Sequence, residues 1–62
     1  MAHKIITDLK QCMKAANGDK AKMAACETTF TTAGGKVTAT GGKVFGAPDG
    51  SEAYVTNGGK VF

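Results

Sequence analysis

The sequence lacks arginine and tryptophan, and it contains a single histidine, His3, and a single serine, Ser51. A nucleophilic triad needs a hydroxyl or thiol beside a histidine and a carboxylate, and one serine and one histidine supply no such set in a plausible frame. The five carboxylates show no spacing that indicates paired acid–base catalysis. A chain of 62 residues also has little material for a substrate pocket. We therefore predict no enzymatic activity and no catalytic residues.

Motifs that bind phosphates or metals are missing from the sequence as well. No glycine lies five residues before any Gly-Lys pair, no Ser or Thr follows those lysines, and the spacing Gly-x-Gly-x-x-Gly does not occur. The two cysteines and His3 form neither a Cys-x-x-Cys nor a His-x-x-x-His pair, which are typical of zinc sites. The sequence therefore predicts neither a cofactor nor a metal ion.

The basic residues are eight lysines, which outnumber the five acidic residues and give a formal net charge of +3. They are spread along the chain and do not form one basic run. Arginine supplies the bidentate contacts that read guanine and grip phosphates, and it is absent here. Nucleic-acid binding is therefore an alternative that we rank below protein partners.

Large hydrophobic side chains are scarce, because Leu, Ile, Val and Phe together make only 10 of the 62 residues. A chain of this length buries only about 60% of the surface that it exposes when unfolded. Small chains with thin cores depend on disulfides, metals or partner subunits to become ordered. We therefore expect one small domain over residues 1–62 that is stabilised by neighbouring subunits.

Long apolar runs are absent too. The first eight residues contain no apolar run longer than two, and no stretch approaches the roughly 20 apolar residues of a membrane span. We therefore expect no secretory signal and no membrane span, and a cytoplasmic or virion-associated location.

Residues 1–32 have the periodicity of a helical hairpin. Their apolar residues recur at helical spacing, namely Ile5, Leu9, Cys12, Met13 and Ala16 in the first helix and Met23, Cys26 and Phe30 in the second. Asn17 and Gly18 tolerate positive φ and end the first helix, and Asp19 can cap the second. The first helix has an alternative start at Asp8, because Asp8 and Gln11 match a capping box. The threonines after Glu27 favour an end of the second helix between Glu27 and Thr32.

Residues 33–62 have the pattern of a Gly-rich antiparallel β meander. The tetrapeptide Gly-Gly-Lys-Val occurs at 34–37, 41–44 and 58–61, and each copy reads as a turn followed by a strand. The predicted strands are 36–40, 43–45, 52–56 and 60–62, separated by a two-residue Gly-Gly turn, a turn at Pro48 and an Asn-Gly turn. A short β-solenoid is the alternative for such a repeat, but the irregular spacing favours the meander. The fold class is therefore α+β.

Cys12 and Cys26 are the only thiols, and they lie at equal distances from the predicted turn of the hairpin. Facing positions on packed helices can approach to the Cα separation that a disulfide requires. We therefore consider a Cys12–Cys26 disulfide, with two buried free thiols as the alternative.

The aromatic residues are core candidates first, with Phe45 and Tyr54 expected to pair across the Pro48 turn. Tyr54, Val61 and Phe62 are also the residues that we expect to contact a partner, because a lone domain of this size covers an apolar tail poorly. The function that we predict is that of a non-enzymatic structural or interaction protein, ordered as a homo-oligomer or within a larger assembly such as a virion, where it would be a minor or decorating component. The alternative is a small basic module that binds nucleic acid or inhibits a partner protein.

Overall fold

The computed structural model describes residues 4–62. His3, which the sequence analysis considered as a metal ligand, lies outside these residues. Two helices, α1 (Ile5–Ala16) and α2 (Lys20–Thr32), precede three strands, β1 (Lys36–Ala39), β2 (Lys43–Gly46) and β3 (Glu52–Val55). The strands form one antiparallel sheet in the order β1-β2-β3. This arrangement confirms the prediction of a helical hairpin followed by a β meander.

Helix α1 begins at Ile5, so the alternative start at Asp8 is wrong. The amides of Thr7 and Asp8 both donate to the carbonyl of Lys4, at 3.1 and 3.3 Å. The first helical turn is therefore already formed before Asp8, the residue at which the capping box predicted the start of the helix. The helix ends as predicted, because Asn17 takes φ 50° and Gly18 takes φ 83°. An aspartate at position 8 then lies in the first turn, where the helix dipole favours negative charge.

Helix α2 is capped by Asp19, whose side chain accepts a hydrogen bond from the Lys22 amide at 3.1 Å. It ends at Thr32, the last residue of the predicted interval. The chain leaves it through Gly34, which takes φ 106°, and Gly35. The Gly34 amide donates to the carbonyl of Thr31 and the Gly35 amide to that of Phe30, each at 3.0 Å, so the last carbonyls of the helix find partners.

The first hairpin of the sheet has a longer turn than the sequence suggests. Ala39 pairs with Lys43, so three residues connect β1 and β2 where a two-residue Gly41-Gly42 turn was predicted. Only Gly41 takes a positive φ. A Cβ on Gly42 would lie 2.7 Å from the carbonyl oxygen of Val55, so Gly42 packs closely against β3.

The second hairpin has the predicted turn at Pro48. The Gly50 amide donates to the Ala47 carbonyl at 3.0 Å, as a four-residue turn requires. The Ser51 amide donates to an Asp49 carboxylate oxygen at 2.9 Å, and this bond lowers the pKa of Asp49 below its ordinary value. The carboxylate therefore supports the turn at neutral pH, and that support is lost as the pH falls through the lowered pKa.

The predicted fourth strand is reduced to a short pairing. Val61 forms a single antiparallel bridge with Val55, and the Tyr54 and Phe62 backbones exchange hydrogen bonds of 3.2 and 2.8 Å. The pairing of residues 60–62 with β3 also includes a hydrogen bond of 2.9 Å from the Thr56 amide to the Lys60 carbonyl. The Asn57 side chain ties the turn that precedes these residues to the first hairpin by donating to the Gly41 carbonyl at 2.6 Å.

The core lies between the two helices and one face of the sheet. Its buried residues are Ile6, Leu9, Met13, Ala16, Cys26, Phe30, Phe45, Ala53 and Val55. Phe45 has no exposed surface, and its ring meets that of Phe30 edge to face with centroids 5.5 Å apart. Such a pair adds to the hydrophobic gain from burial.

The predicted pair of Phe45 and Tyr54 is wrong. Phe45 lies opposite Ala53, and Tyr54 lies opposite Val44. Because side chains alternate along a strand, Phe45 points into the core and Tyr54 points away from it.

Replacing Gly35 with alanine tests the contact between the end of α2 and the core. A Cβ at this position would lie 2.2 Å from the ring of Phe30, which is buried and would have to shift. We expect Gly35→Ala to lower the free energy of unfolding by about 1–3 kcal/mol in urea titrations, as overpacking of a core does. Gly46→Ala is the control, because a Cβ there meets nothing within 4 Å. Equal effects of the two substitutions would contradict this packing.

Candidate protein-interaction surface

One face of the sheet is turned away from the helices. We call it the outer face, and its residues alternate along the chain with the buried ones: Lys36, Thr38, Val44, Gly46, Glu52, Tyr54, Thr56, Lys60 and Phe62. Within the described residues, Tyr54 and Phe62 are the exposed large hydrophobic side chains, with 38% and 66% of their surface accessible. Singly exposed apolar residues are ordinary, but two adjacent aromatics on one face form a patch.

The two aromatic side chains are held side by side by the backbone. Tyr54 and Phe62 are directly opposite each other, because each amide donates to the carbonyl of the other. Their ring centroids are 6.1 Å apart, with the planes tilted by 45°. The pair is therefore built into the sheet and does not depend on a chance arrangement of two mobile side chains.

The aromatic pair belongs to a longer row across the sheet. Thr38 pairs with Val44 and Val44 pairs with Tyr54, so the four residues Thr38, Val44, Tyr54 and Phe62 follow one another across four chain segments. We call these four residues the central row. With strands about 4.8 Å apart, it extends for roughly 14 Å. It offers a partner methyl groups and two rings without a charged side chain.

A second row of the outer face carries opposite charges at its two ends. Lys36 pairs with Gly46, and Gly46 pairs with Glu52, so a lysine and a glutamate flank a residue without a side chain. We call these three residues the charged row. Both end residues are exposed, and the space above Gly46 is open. The outer face is therefore neutral in this row although the chain is basic.

The three residues that we expected to contact a partner are divided between the two faces of the sheet. Tyr54 and Phe62 lie together on the outer face, whereas Val61 pairs with Val55 and packs against the core. Sequence reasoning did not find Thr38, Val44 and the charged row. Because successive side chains of a strand point to opposite faces, a buried Phe45 would have placed its neighbour Val44 on the outer face. The residues beside Val44 on other strands depend on the register of the hairpins.

Cys12 and Cys26 are joined by a disulfide in the structure, with Cα atoms 5.8 Å apart. The bridge connects the middle of α1 to the middle of α2, with Cys26 buried and Cys12 exposed. It lies in the helical layer, on the other side of the molecule from the outer face. Its role there is to hold the hairpin together.

Other places in the described part of the chain offer less. A hollow of about 220 Å³ between α2 and the sheet is bordered by the ion pair of Lys43 and Glu27, whose charged atoms are 2.6 Å apart. Residues 4–62 bring no three His, Cys, Asp or Glu side chains together as a metal site would. None of the helices described is both long and apolar enough to cross a membrane.

Comparison of the chain with models of protein families, with curated proteins and with solved structures finds no match.

Breaking the disulfide tests how far the thin core depends on it. The bridge closes a loop with a sequence separation of 14, and such a loop contributes about 3 kcal/mol to the free energy of unfolding. We expect Cys12→Ala with Cys26→Ala, and wild-type protein in reductant, to lose about that amount in urea titrations. Reduced wild type is the matched control because it keeps both side chains. Uptake of two alkyl groups by native, unreduced protein would show that the bridge is absent.

Proposed function

We propose that the protein is a non-enzymatic interaction protein that works within a larger assembly and docks on a protein partner through the outer face. The observation that carries the proposal is the exposed aromatic pair of Tyr54 and Phe62, fixed by reciprocal backbone hydrogen bonds. Decoration of a virion-like shell is one role that a chain of this size would suit.

The composition of the outer face supports a protein partner. Tyrosine and phenylalanine are enriched at protein interfaces, where large side chains with few rotatable bonds bury much area at a small cost in entropy. Val44 and Thr38 continue the patch beside them. Truncating a buried aromatic anchor typically costs a complex 2 kcal/mol or more, and the central row would supply two such anchors.

The energetics of the fold support an assembled state as well. The buried core contains nine residues, and two of them are alanines. A partner that binds only the folded chain stabilises it by mass action, and a given gain raises the folded fraction most in chains with little stability of their own. Covering Tyr54 and Phe62 would therefore stabilise the chain while it forms the contact.

The second candidate function is that of a small basic binding module, either a nucleic-acid binder or an inhibitor. Lys36 lies on the same face as Tyr54 and Phe62, and aromatic platforms with nearby cations stack on bases. Glu52 opposes this use, because it places a negative charge at the other end of the charged row. The absence of arginine weakens it further.

Removing the aromatic side chains tests the proposed function. Tyr54→Thr with Phe62→Thr deletes both rings and replaces them with a β-branched residue that suits extended backbone. We expect proteins that co-purify with the tagged wild-type chain from its producing cells, other copies of the chain included, to fall at least tenfold, measured by quantitative mass spectrometry. The control variant, Gln11→Thr with Lys22→Thr, changes two exposed helical residues and should retain them. An equal recovery with both variants would contradict docking through the outer face.

Binding of a fluorescent single-stranded oligonucleotide separates the two candidates. If the outer face serves proteins, anisotropy should show no saturable binding at 150 mM salt, a concentration at which weak phosphate contacts are screened. Tight binding that weakens steeply with salt and is lost in Tyr54→Thr with Phe62→Thr would favour the nucleic-acid module instead.

A further inference from the structure

We propose that the partner on the outer face is a second copy of this chain, packed face to face about a twofold axis that runs parallel to the strands above β2. In this pairing Lys36 of each copy meets Glu52 of the other. The inference rests on the proposed function, because it assigns an occupant to the same surface.

The order of the residues across the sheet makes the charged row complementary to itself. Lys36 on β1 and Glu52 on β3 stand at equal distances on either side of Gly46 on β2. A twofold rotation about the axis above β2 places β1 of one copy over β3 of the other, and each row of one copy over the same row of the other. The lysine of one copy therefore comes to lie over the glutamate of the other, twice in the same interface.

The same rotation also pairs three residues of the central row. Val44 lies over Val44 of the second copy and Thr38 lies over its Tyr54, while Phe62, one segment further out than Tyr54, extends past the β1 edge of the second copy. Packed sheets are about 10 Å apart, a gap that these side chains can fill and that a lysine and a glutamate can bridge together. The open space above Gly46 gives room for the long side chain of the opposing Lys36.

The charge pattern favours a second copy over a partner of one charge sign. An acidic partner would be attracted by the net charge of +3 and by Lys60, but it would meet Glu52 at one end of the charged row. A basic partner would meet Lys36. Two copies of this chain repel each other through their net charge, so the Lys36–Glu52 pairs have to supply the local attraction that aligns the faces.

The size of the outer face indicates a weak dimer. Four chain segments and three rows, of which the third is formed by Thr56 and Lys60, cover an area on the order of 300–400 Å² on each copy, well below the roughly 800 Å² of a standard interface. We therefore expect a weak dimer whose population depends on concentration. Such a contact becomes significant where other contacts hold many copies at high local concentration, as in an assembly.

Sedimentation of charge variants tests this pairing. The oxidised full-length chain should form dimers between 10 µM and 1 mM, and Lys36→Glu or Glu52→Lys alone should weaken dimerisation at least fivefold, because each variant places like charges opposite each other. An equimolar mixture of the two variants should restore dimers, since each brings the charge that the other lacks. If Lys36 and Glu52 acted only within one chain, each variant chain would keep two like charges, and mixing the variants would not restore dimers.

Lys22→Glu is the matched control for the effect of net charge. It changes the charge of an exposed residue on α2 by the same amount as Lys36→Glu, and it should not weaken dimerisation. A wild-type chain that stays monomeric at 1 mM, or a mixture that fails to restore dimers, would overturn the pairing. If the chain is monomeric while Tyr54→Thr with Phe62→Thr still loses its co-purifying proteins, docking through the outer face stands and its occupant is a different protein.

Discussion

The contact between Phe45 and Phe30 determines how the two halves of this chain fit together. Phe45 is the most deeply buried large side chain, and its ring meets Phe30 at the C-terminal end of α2. Gly35 leaves room for the Phe30 ring where the chain turns from helix to sheet. Because Phe45 points inward, its neighbours on β2 must point outward. The outer face is therefore a direct consequence of the core.

Contacts outside the small hydrophobic core also stabilise the folded chain. The disulfide limits the freedom of the unfolded chain, and the Lys43–Glu27 pair connects the sheet to α2 at the surface. Gly18 and Gly59 bring the turn between the helices against the last turn of the chain, so closely that a Cβ on Gly59 would lie 2.9 Å from the Cα of Gly18. None of these contacts requires a large hydrophobic side chain.

Local signals in the sequence were sufficient to predict the order and type of the elements. Asn17 ends α1 and Asp19 caps α2, because each acts through its own backbone or its immediate neighbours. The Pro48 turn is local in the same sense. The start of α1 was ambiguous, since Asp8 satisfies a capping pattern but the hydrogen bonds to Lys4 already form the preceding turn.

The candidate site was less predictable because it depends on register. Pairing Phe45 with Tyr54 differs by a single residue from the observed pairing with Ala53, and a slip of one residue moves a side chain to the opposite face. The sequence alone therefore predicted Tyr54 and Phe62 as partner contacts but did not predict the face that they share with Val44. The separation of Val61 from Phe62 follows from the same alternation.

The most direct test of this account is a dilution series of the isotope-labelled chain followed by nuclear magnetic resonance. The account predicts that chemical shifts of Thr38, Val44, Tyr54 and Phe62 change with concentration while those of the exposed residues of α1 and α2 stay constant. Shifts that move on the helices and remain fixed on the sheet would contradict it.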